Sequence, residues 1–205
     1  MKTILFATTN KGKIREIKEM TDGLDYEIIG LNDIDFTEEI EENGTTFEEN
    51  ATIKAKAIYS YVYDNAKLNE KYGNIYVLAD DSGLEIDYYD KAPGVYSHRW
   101  LGDRTYTQCM QDVIDDMKDV PDAKRTTRFV CSMALVCPDG TVKTVVKTVE
   151  GIINRKIVGE NGFGYDPFFY VPEFGCTTAQ MTPEQKNEIS HRGKALRAIL
   201  ELLNK

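Results

Sequence analysis

Ile75-Tyr76-Val77-Leu78-Ala79-Asp80-Asp81-Ser82-Gly83 decides how this chain is read. An apolar run of that length, with β-branched and aromatic residues, reads as a buried strand. The Gly-containing segment behind it predicts a turn that ends the strand. Two adjacent carboxylates are thereby delivered to the end of a core strand. Open α/β sheets bind ligands at the carboxyl ends of their strands, and hard oxygen donors there suit Mg²⁺, which in turn suits phosphates. Asp, Ser and Gly are also ordinary turn residues, so the same stretch taken alone is equally a plain strand breaker.

Working outward, residues 2–8 read as a strand, Lys11 to Met20 as a helix with Ile14, Ile17 and Met20 at helical spacing, and Tyr26 to Leu31 as a second strand. Asp33 to Gly44 is irregular and acidic. Thr46 to Tyr63 is a long helix with Phe47, Ala51, Ala55, Ile58 and Val62 on one stripe and Thr45 or Thr46 as its cap. Beyond the opening stretch come a short strand (Leu84 to Tyr88), a turn at Ala92-Pro93-Gly94 and a helix from Thr105 to Met117. Strands at Arg128 to Cys137 and Val142 to Glu150 are joined by Pro138-Asp139-Gly140, a hairpin signature. Gly159 to Pro172 is rich in Gly, Pro and aromatics, and Ser190 to Asn204 is a helix capped by Ser190. The pattern predicts an α/β fold, a mixed sheet with helices outside. The long hairpin makes a second lobe, and a central cleft between lobes is a natural place for a ligand.

Bulk properties narrow the function. The 205 residues, 41% hydrophobic and 29% charged, are those of a globular protein with a sizeable core, read here as one domain, 1–205, of two lobes. No apolar run approaches the ~18 residues that cross a bilayer, and the apolar start Ile4-Leu5-Phe6-Ala7 is too short for a signal peptide. The four cysteines form no CxxC pair and there are only two histidines, so a zinc site is not expected and a reduced, cytoplasmic chain is. A net charge of −9 argues against a nucleic-acid polymer as partner. A local lysine cluster or a metal can still hold a small polyanion.

Several segments carry the chemistry for that. Thr8-Thr9-Asn10-Lys11-Gly12-Lys13 joins the first strand to the first helix, where backbone N–H groups and two lysines attract anions. It is not a Walker A loop, since the leading Gly is missing and Ile14 follows Lys13. Glu41 and Glu42, before Asn43-Gly44, are a second source of carboxylate for a Mg²⁺ site near Asp80 and Asp81. Asn50, Lys54 and Ala57 lie near one face of the long helix, from which Lys54 can reach a phosphate. In Phe163-Gly164-Tyr165-Asp166-Pro167, Phe163 or Tyr165 can stack on a base and Asp166 or a backbone group can read its edge. Lys186 and Ser190-His191-Arg192 place cations at the start of the last helix, where the dipole disfavours them unless an anion is near. Each segment alone also has an ordinary structural reading: a polar turn, a solvated charge run, an exposed lysine, a packed aromatic turn, a surface histidine.

Six segments in order make the set specific: ATTNKGKIREI (7–17), ENGTTFEENATIKAKA (42–57), LADDSGLEID (78–87), APGVYSHRW (92–100), GENGFGYDPFFY (159–170) and EQKNEISHRGKAL (184–196). With them the chain resembles the Ham1/RdgB-type inosine triphosphate pyrophosphatase family over nearly its whole length. The resemblance implies a two-lobed α/β, Mg²⁺-dependent homodimer that hydrolyses ITP, dITP and XTP to the monophosphate and pyrophosphate, cleansing the nucleotide pool. It implies that Thr8, Thr9, Asn10, Lys11, Gly12 and Lys13 cradle phosphates, with Lys54 and Ser82 near them. Glu42 and Asp81 would hold Mg²⁺, with Asp80 the alternative ligand and Asp81 also the proton acceptor. Phe163, Gly164, Tyr165 and Asp166 would form part of the nucleoside site, Lys186, His191 and Arg192 would hold base and phosphate, and Arg99 would lie nearby. Thr9, His98 and Lys91 depart from the family's usual small residues without removing a ligand.

A carboxylate bound directly to Mg²⁺ is a poor base, so the sequence leaves open which of Asp80 and Asp81 meets the metal and which the proton. Two rivals stand beside this reading: a Maf-like pyrophosphatase acting on pyrimidine or modified nucleotides, and a nucleotide sensor without turnover.

Overall fold

The computed structural model describes residues 2–204. Its strands are β1 (Lys2–Phe6), β2 (Tyr26–Gly30), β3 (Tyr76–Ile86), β4 (Thr126–Val136), β5 (Val142–Ile153), β6 (Phe169–Val171) and β7 (Cys176–Thr177). Among the described residues they form a seven-stranded sheet in the order β2-β1-β3-β4-β5-β6-β7. β1 runs parallel to β2 and to β3, with Ile4 opposite both Ile28 and Tyr76. β5, β6 and β7 are antiparallel neighbours, so the sheet is mixed, as expected. The flanking helices are α1 (Lys11–Thr21), α2 (Phe47–Asp64), α3 (Ala66–Tyr72), α4 (Tyr106–Asp116), α5 (Pro183–Ile189) and α6 (His191–Leu203). The short helices α3 and α5 were not anticipated from the sequence pattern.

The chain divides into two compact units. One comprises the chain up to Asp81, Cys131–Lys147 and the stretch from Ala195 onward; the other comprises Ser82–Val130 and Thr148–Lys194. In the first unit the sheet centre, β1, β3 and β4, is buried on both faces. Successive strand residues point to opposite sides. Leu5, Val77, Ala79, Ala134 and Val136 therefore meet Ala51, Ala55, Ile58 and Val62 of α2. Ile4, Phe6, Leu78, Met133 and Leu135 meet Ile17 of α1 and Ala195, Leu196 and Ile199 of α6. The start of α2 is set by a capping box: Thr46 Oγ1 accepts from Glu49 N at 3.1 Å, and Glu49 Oε2 accepts from Thr46 N at 3.2 Å.

The turn expected at Asp80-Asp81-Ser82-Gly83 does not form, and the separate strand expected from Leu84 is its continuation. β3 runs unbroken from Tyr76 to Ile86, and Gly83 is not among the positive-φ glycines. Asp and Ser favour turns when their side chains bond the nearby backbone. Here those side chains are engaged over long range instead, Asp80 with Lys13, Asp81 with Asn50 and Ser82 with Arg192. The described register with β1 ends at Phe6 opposite Leu78, so the two carboxylates lie just past the carboxyl end of β1.

The second unit has one apolar face. Leu84, Ile86, Phe129, Val149 and Phe169 pack with Cys109, Met110 and Val113 of α4. The alternate residues are charged. Arg128 reaches Asp87 at 2.9 Å, Glu85 at 3.2 Å and Glu150 at 3.1 Å. Arg125 is fully buried and donates to the carbonyls of Ile153, Met117 and Asn154. Nothing in its local sequence announces that role.

The hydrogen bonds from Arg128, then from Thr126, hold the Asp87 carboxyl below its ordinary value. A depressed folded-state value stabilises the protein above the unfolded value of about 3.9, and this contribution is lost as pH falls through the lower folded value. Asp87→Asn is therefore expected to lower the urea midpoint at neutral pH. The gap to wild type should narrow as pH falls below the ordinary carboxylate value, as read by denaturation curves at neutral and acid pH.

Candidate functional site

Two clusters of side chains form, one in each unit. In the first unit, the loop from β1 to α1 is shaped by its own polar groups. Asn10 caps α1, its Oδ1 accepting from Gly12 N at 2.9 Å and Lys13 N at 3.1 Å, and Thr8 Oγ1 accepts from Asn10 N at 3.2 Å. Two of the N–H groups expected to face an anion are thus taken by Asn10. Thr9, Asn10 and Lys11 are exposed, while Thr8, Gly12 and Lys13 are half-buried. Lys13 Nζ lies 3.0 Å from Oδ1 of Asp80, whose side chain is wholly buried.

Alternation on β3 separates the two aspartates. Asp80 follows Leu78 on the face toward α1, whereas Asp81 follows Val77 and Ala79 toward α2. There Asn50 Nδ2 donates to Asp81 Oδ2 at 3.1 Å, and Lys54 Nζ stands 3.7 Å from Asp81 Oδ1 and 2.8 Å from Glu42 Oε2. Glu42 and Asp81 thus converge on one largely buried ammonium, while Asp80 is tied to Lys13.

Burial raises the Asp81 carboxyl above its ordinary range, against the pull of Lys54 and Lys13. Burial alone would lower Lys54; attraction to Asp81, Asp80 and Glu42 outweighs it and leaves the ammonium above its usual value. The two shifts are compatible, because one ammonium facing three carboxylates gains more than each carboxylate gains from it.

Among the described residues no three His, Cys, Asp or Glu side chains are grouped to cage a metal. Mg²⁺ typically uses only one or two carboxylates, with water and substrate phosphate completing its octahedron. Glu42 and Asp81, drawn together by a cation, are such a pair.

The second cluster is built around Asp166, buried in the 3-10 turn Asp166–Phe168. Its carboxylate accepts from Phe163 N at 2.7 Å, Thr178 Oγ1 at 2.8 Å and Lys186 Nζ at 2.7 Å. A Cβ on Gly162, at φ +78°, would sit 2.1 Å from Asp166 Oδ2, so only glycine allows this closure. The half-buried Phe163 ring has Lys186 Nζ 5.0 Å and the Arg192 guanidinium 5.6 Å from its centroid. Arg192 also donates to Ser82 Oγ at 2.9 Å. His191 is buried, its ring stacked on Phe129 at 5.0 Å.

Tyr165 lies in the core. Its hydroxyl donates to Ser97 O at 2.9 Å, its ring meets Tyr106 edge-on, and burial drives its phenol far up. Gly164, at φ +65°, faces Tyr106. Arg99 is exposed in the 3-10 turn Arg99–Leu101. Sequence reasoning missed Thr178 and Ser97, whose partners Asp166 and Tyr165 lie 12 and 68 residues away. Gly44 had a local signal, an Asn-Gly pair just before a capping box.

The Ham1 family model matches residues 4–202. A dITP/XTP pyrophosphatase of Bacillus subtilis is 43% identical over 204 residues, covering 99% of this chain and 98% of that one. A dITP/XTP pyrophosphatase of Desulforamulus reducens is 42% identical over 206 residues, covering 100% and 96%. Among solved structures, a HAM1 protein from Coxiella burnetii superposes with a TM-score of 0.81 at 36% identity, covering 100% and 99% of the two chains. The Staphylococcus aureus Ham1 protein gives 0.80 at 36% identity, covering 99% and 98%. Sequence, fold and length agree from end to end, and the chain belongs to the Ham1 family.

Proposed function

We propose that the protein is a Mg²⁺-dependent pyrophosphatase of non-standard purine nucleoside triphosphates, taking ITP, dITP and XTP to the monophosphate and pyrophosphate. The observation that carries the reading is the convergence of Glu42 and Asp81 on Lys54, with Lys13 close enough to act on Asp81. The names of the relatives supply the substrate class.

The first cluster suits phosphates and their cation, and the second suits a base. Asp81 and Ser82 are consecutive on β3, so a single strand carries a residue of each. Glu42 and Asp81 would hold the cation, which when bound offsets the charge of the triphosphate and of the leaving pyrophosphate. Lys54, Lys13 and Lys11 supply further positive charge to the phosphates. Asp81 accepts the proton of the water that attacks the α-phosphorus. Burial raises its carboxyl above the ordinary range, which favours proton acceptance, whereas a cation held by the same group would oppose it. Asp80, tied to Lys13 on the other face, is left to position that lysine.

On the nucleoside side, Phe163 offers a ring for stacking, flanked by Lys186 and Arg192, which can only donate hydrogen bonds. Donors match the 6-oxo group of hypoxanthine and xanthine and oppose the 6-amino group of adenine. A site built this way leaves buried donors unpaired against the wrong base, which discriminates strongly. A cytoplasmic homodimer belongs to the same reading on the strength of the family resemblance.

Pyrophosphate release with Mg²⁺ across ITP, XTP, GTP, ATP, UTP and TTP tests it. Turnover of ITP and XTP should exceed that of ATP, UTP and TTP by at least about a hundredfold in kcat/KM. A preference for pyrimidine nucleotides would favour a Maf-like activity, and no release from any would remove the enzyme reading.

A further inference from the structure

Asn50 lies in the first turn of α2, only 4% exposed, and uses both ends of its amide. Gly44 N donates to Asn50 Oδ1 at 2.8 Å. A backbone N–H can only donate, so the oxygen must face Gly44 and the amide's orientation is fixed. Nδ2 is then directed at Asp81 Oδ2, 3.1 Å away. The Gly44 end leaves no slack: a Cβ there would stand 2.6 Å from Asn50 Oδ1 and 2.7 Å from Glu49 Cβ. Gly44 is two residues after Glu42, so one amide grips the strand carrying Asp81 and the loop carrying Glu42. The capping box of Thr46 and Glu49 fixes the helix turn from which it does so.

We propose that Asn50 is the positioning residue of the cation site, holding Asp81 by one oxygen and drawing in the Glu42 loop through Gly44. The inference rests on the metal reading above. With Oδ2 engaged by Asn50, Asp81 presents Oδ1 to the space shared with Glu42 and Lys54, where Lys54 Nζ stands at 3.7 Å. The pair is then preset for the cation before substrate arrives. Groups that orient metal-binding side chains typically contribute 10–100-fold to metal affinity or activity.

Asn50→Asp separates this role from a merely structural one. The carboxylate still accepts from Gly44 N, but it sets an oxygen against Asp81 Oδ2 where a donor stood. Mn²⁺ binding to the nucleotide-free protein is read from the EPR signal of the free ion, and Mg²⁺ activation from pyrophosphate release with ITP. Asn50→Asp should weaken Mn²⁺ binding and raise the half-activating Mg²⁺ concentration by about 10–100-fold. KM for ITP at saturating Mg²⁺ should stay near wild type. Asn50→Leu should show the same loss with a lower melting temperature. Mn²⁺ binding by Asn50→Asp as tight as wild type, or tighter, overturns the proposal, as does a loss confined to Asn50→Leu. A wild-type protein that holds no Mn²⁺ would instead remove the metal reading, and the inference with it.

Discussion

Asp81→Asn is expected to lower kcat for ITP by roughly 10²–10⁴-fold, the usual contribution of a positioned general base, with the fold intact. The substitution keeps the shape of the side chain and an oxygen to accept from Asn50, which donates to Asp81 Oδ2 at 3.1 Å. Lys54 keeps Glu42 at 2.8 Å. Burial raises the Asp81 carboxyl, so its ionised form costs the folded state stability at neutral pH, a cost relieved as pH falls. A neutral amide removes that cost. The melting temperature of Asp81→Asn should therefore match or exceed that of wild type while turnover collapses, a combination that misfolding cannot produce. Asp80→Asn should behave the other way round. Its carboxylate is wholly buried and paired to Lys13 at 3.0 Å, so melting temperature should fall and kcat should fall less. Equal losses of kcat in the two variants would refute the division of labour between the faces of β3.

Why that division was hidden in the sequence follows from the strand itself. The apolar run before Asp80 was legible as a core strand, because Val77, Leu78 and Ala79 are buried on one face or the other. What followed carried turn residues whose local habit was overruled by partners 67 and 31 residues away, Lys13 for Asp80 and Asn50 for Asp81. Once β3 continues, period-two alternation alone sends adjacent carboxylates to opposite faces. The long helix was legible because Thr46 and Glu49 form its capping box and its buried stripe has helical spacing. Helix α3 was not, since none of its seven residues is fully buried and its stripe is only Leu68 and Tyr72. Helix α5, also seven residues, had local signals in Thr182, Pro183 and Gln185, but too short a run for periodicity to show. Tyr165 illustrates the opposite failure. An aromatic in a Gly-rich loop looks available for stacking, yet its hydroxyl is committed to Ser97 O, 68 residues away.

The largest stability effect is expected at Asp166. Asp166→Ala removes three hydrogen bonds at once, from Phe163 N, Thr178 Oγ1 and Lys186 Nζ. It also leaves Lys186, whose side chain is 8% exposed, without its carboxylate. Removing one partner of a buried ion pair costs about 3–5 kcal/mol, and a chain of this size loses roughly 2–4 °C of melting temperature per kcal/mol. A fall of about 6–20 °C is therefore expected for Asp166→Ala in a thermal melt. The Phe163 backbone should lose its anchor, so KM for ITP should rise in the surviving folded protein at low temperature. Asp166→Asn should cost less, because an amide oxygen still accepts from Phe163 N. The source of the penalty can be isolated by removing both charges. Asp166→Ala combined with Lys186→Met leaves no uncompensated ammonium, so the pair should melt higher than Asp166→Ala alone, as a double-mutant cycle would record. A double variant no more stable than Asp166→Ala would place the cost in the Phe163 and Thr178 hydrogen bonds, and Asp166 would then act on the loop rather than on the lysine.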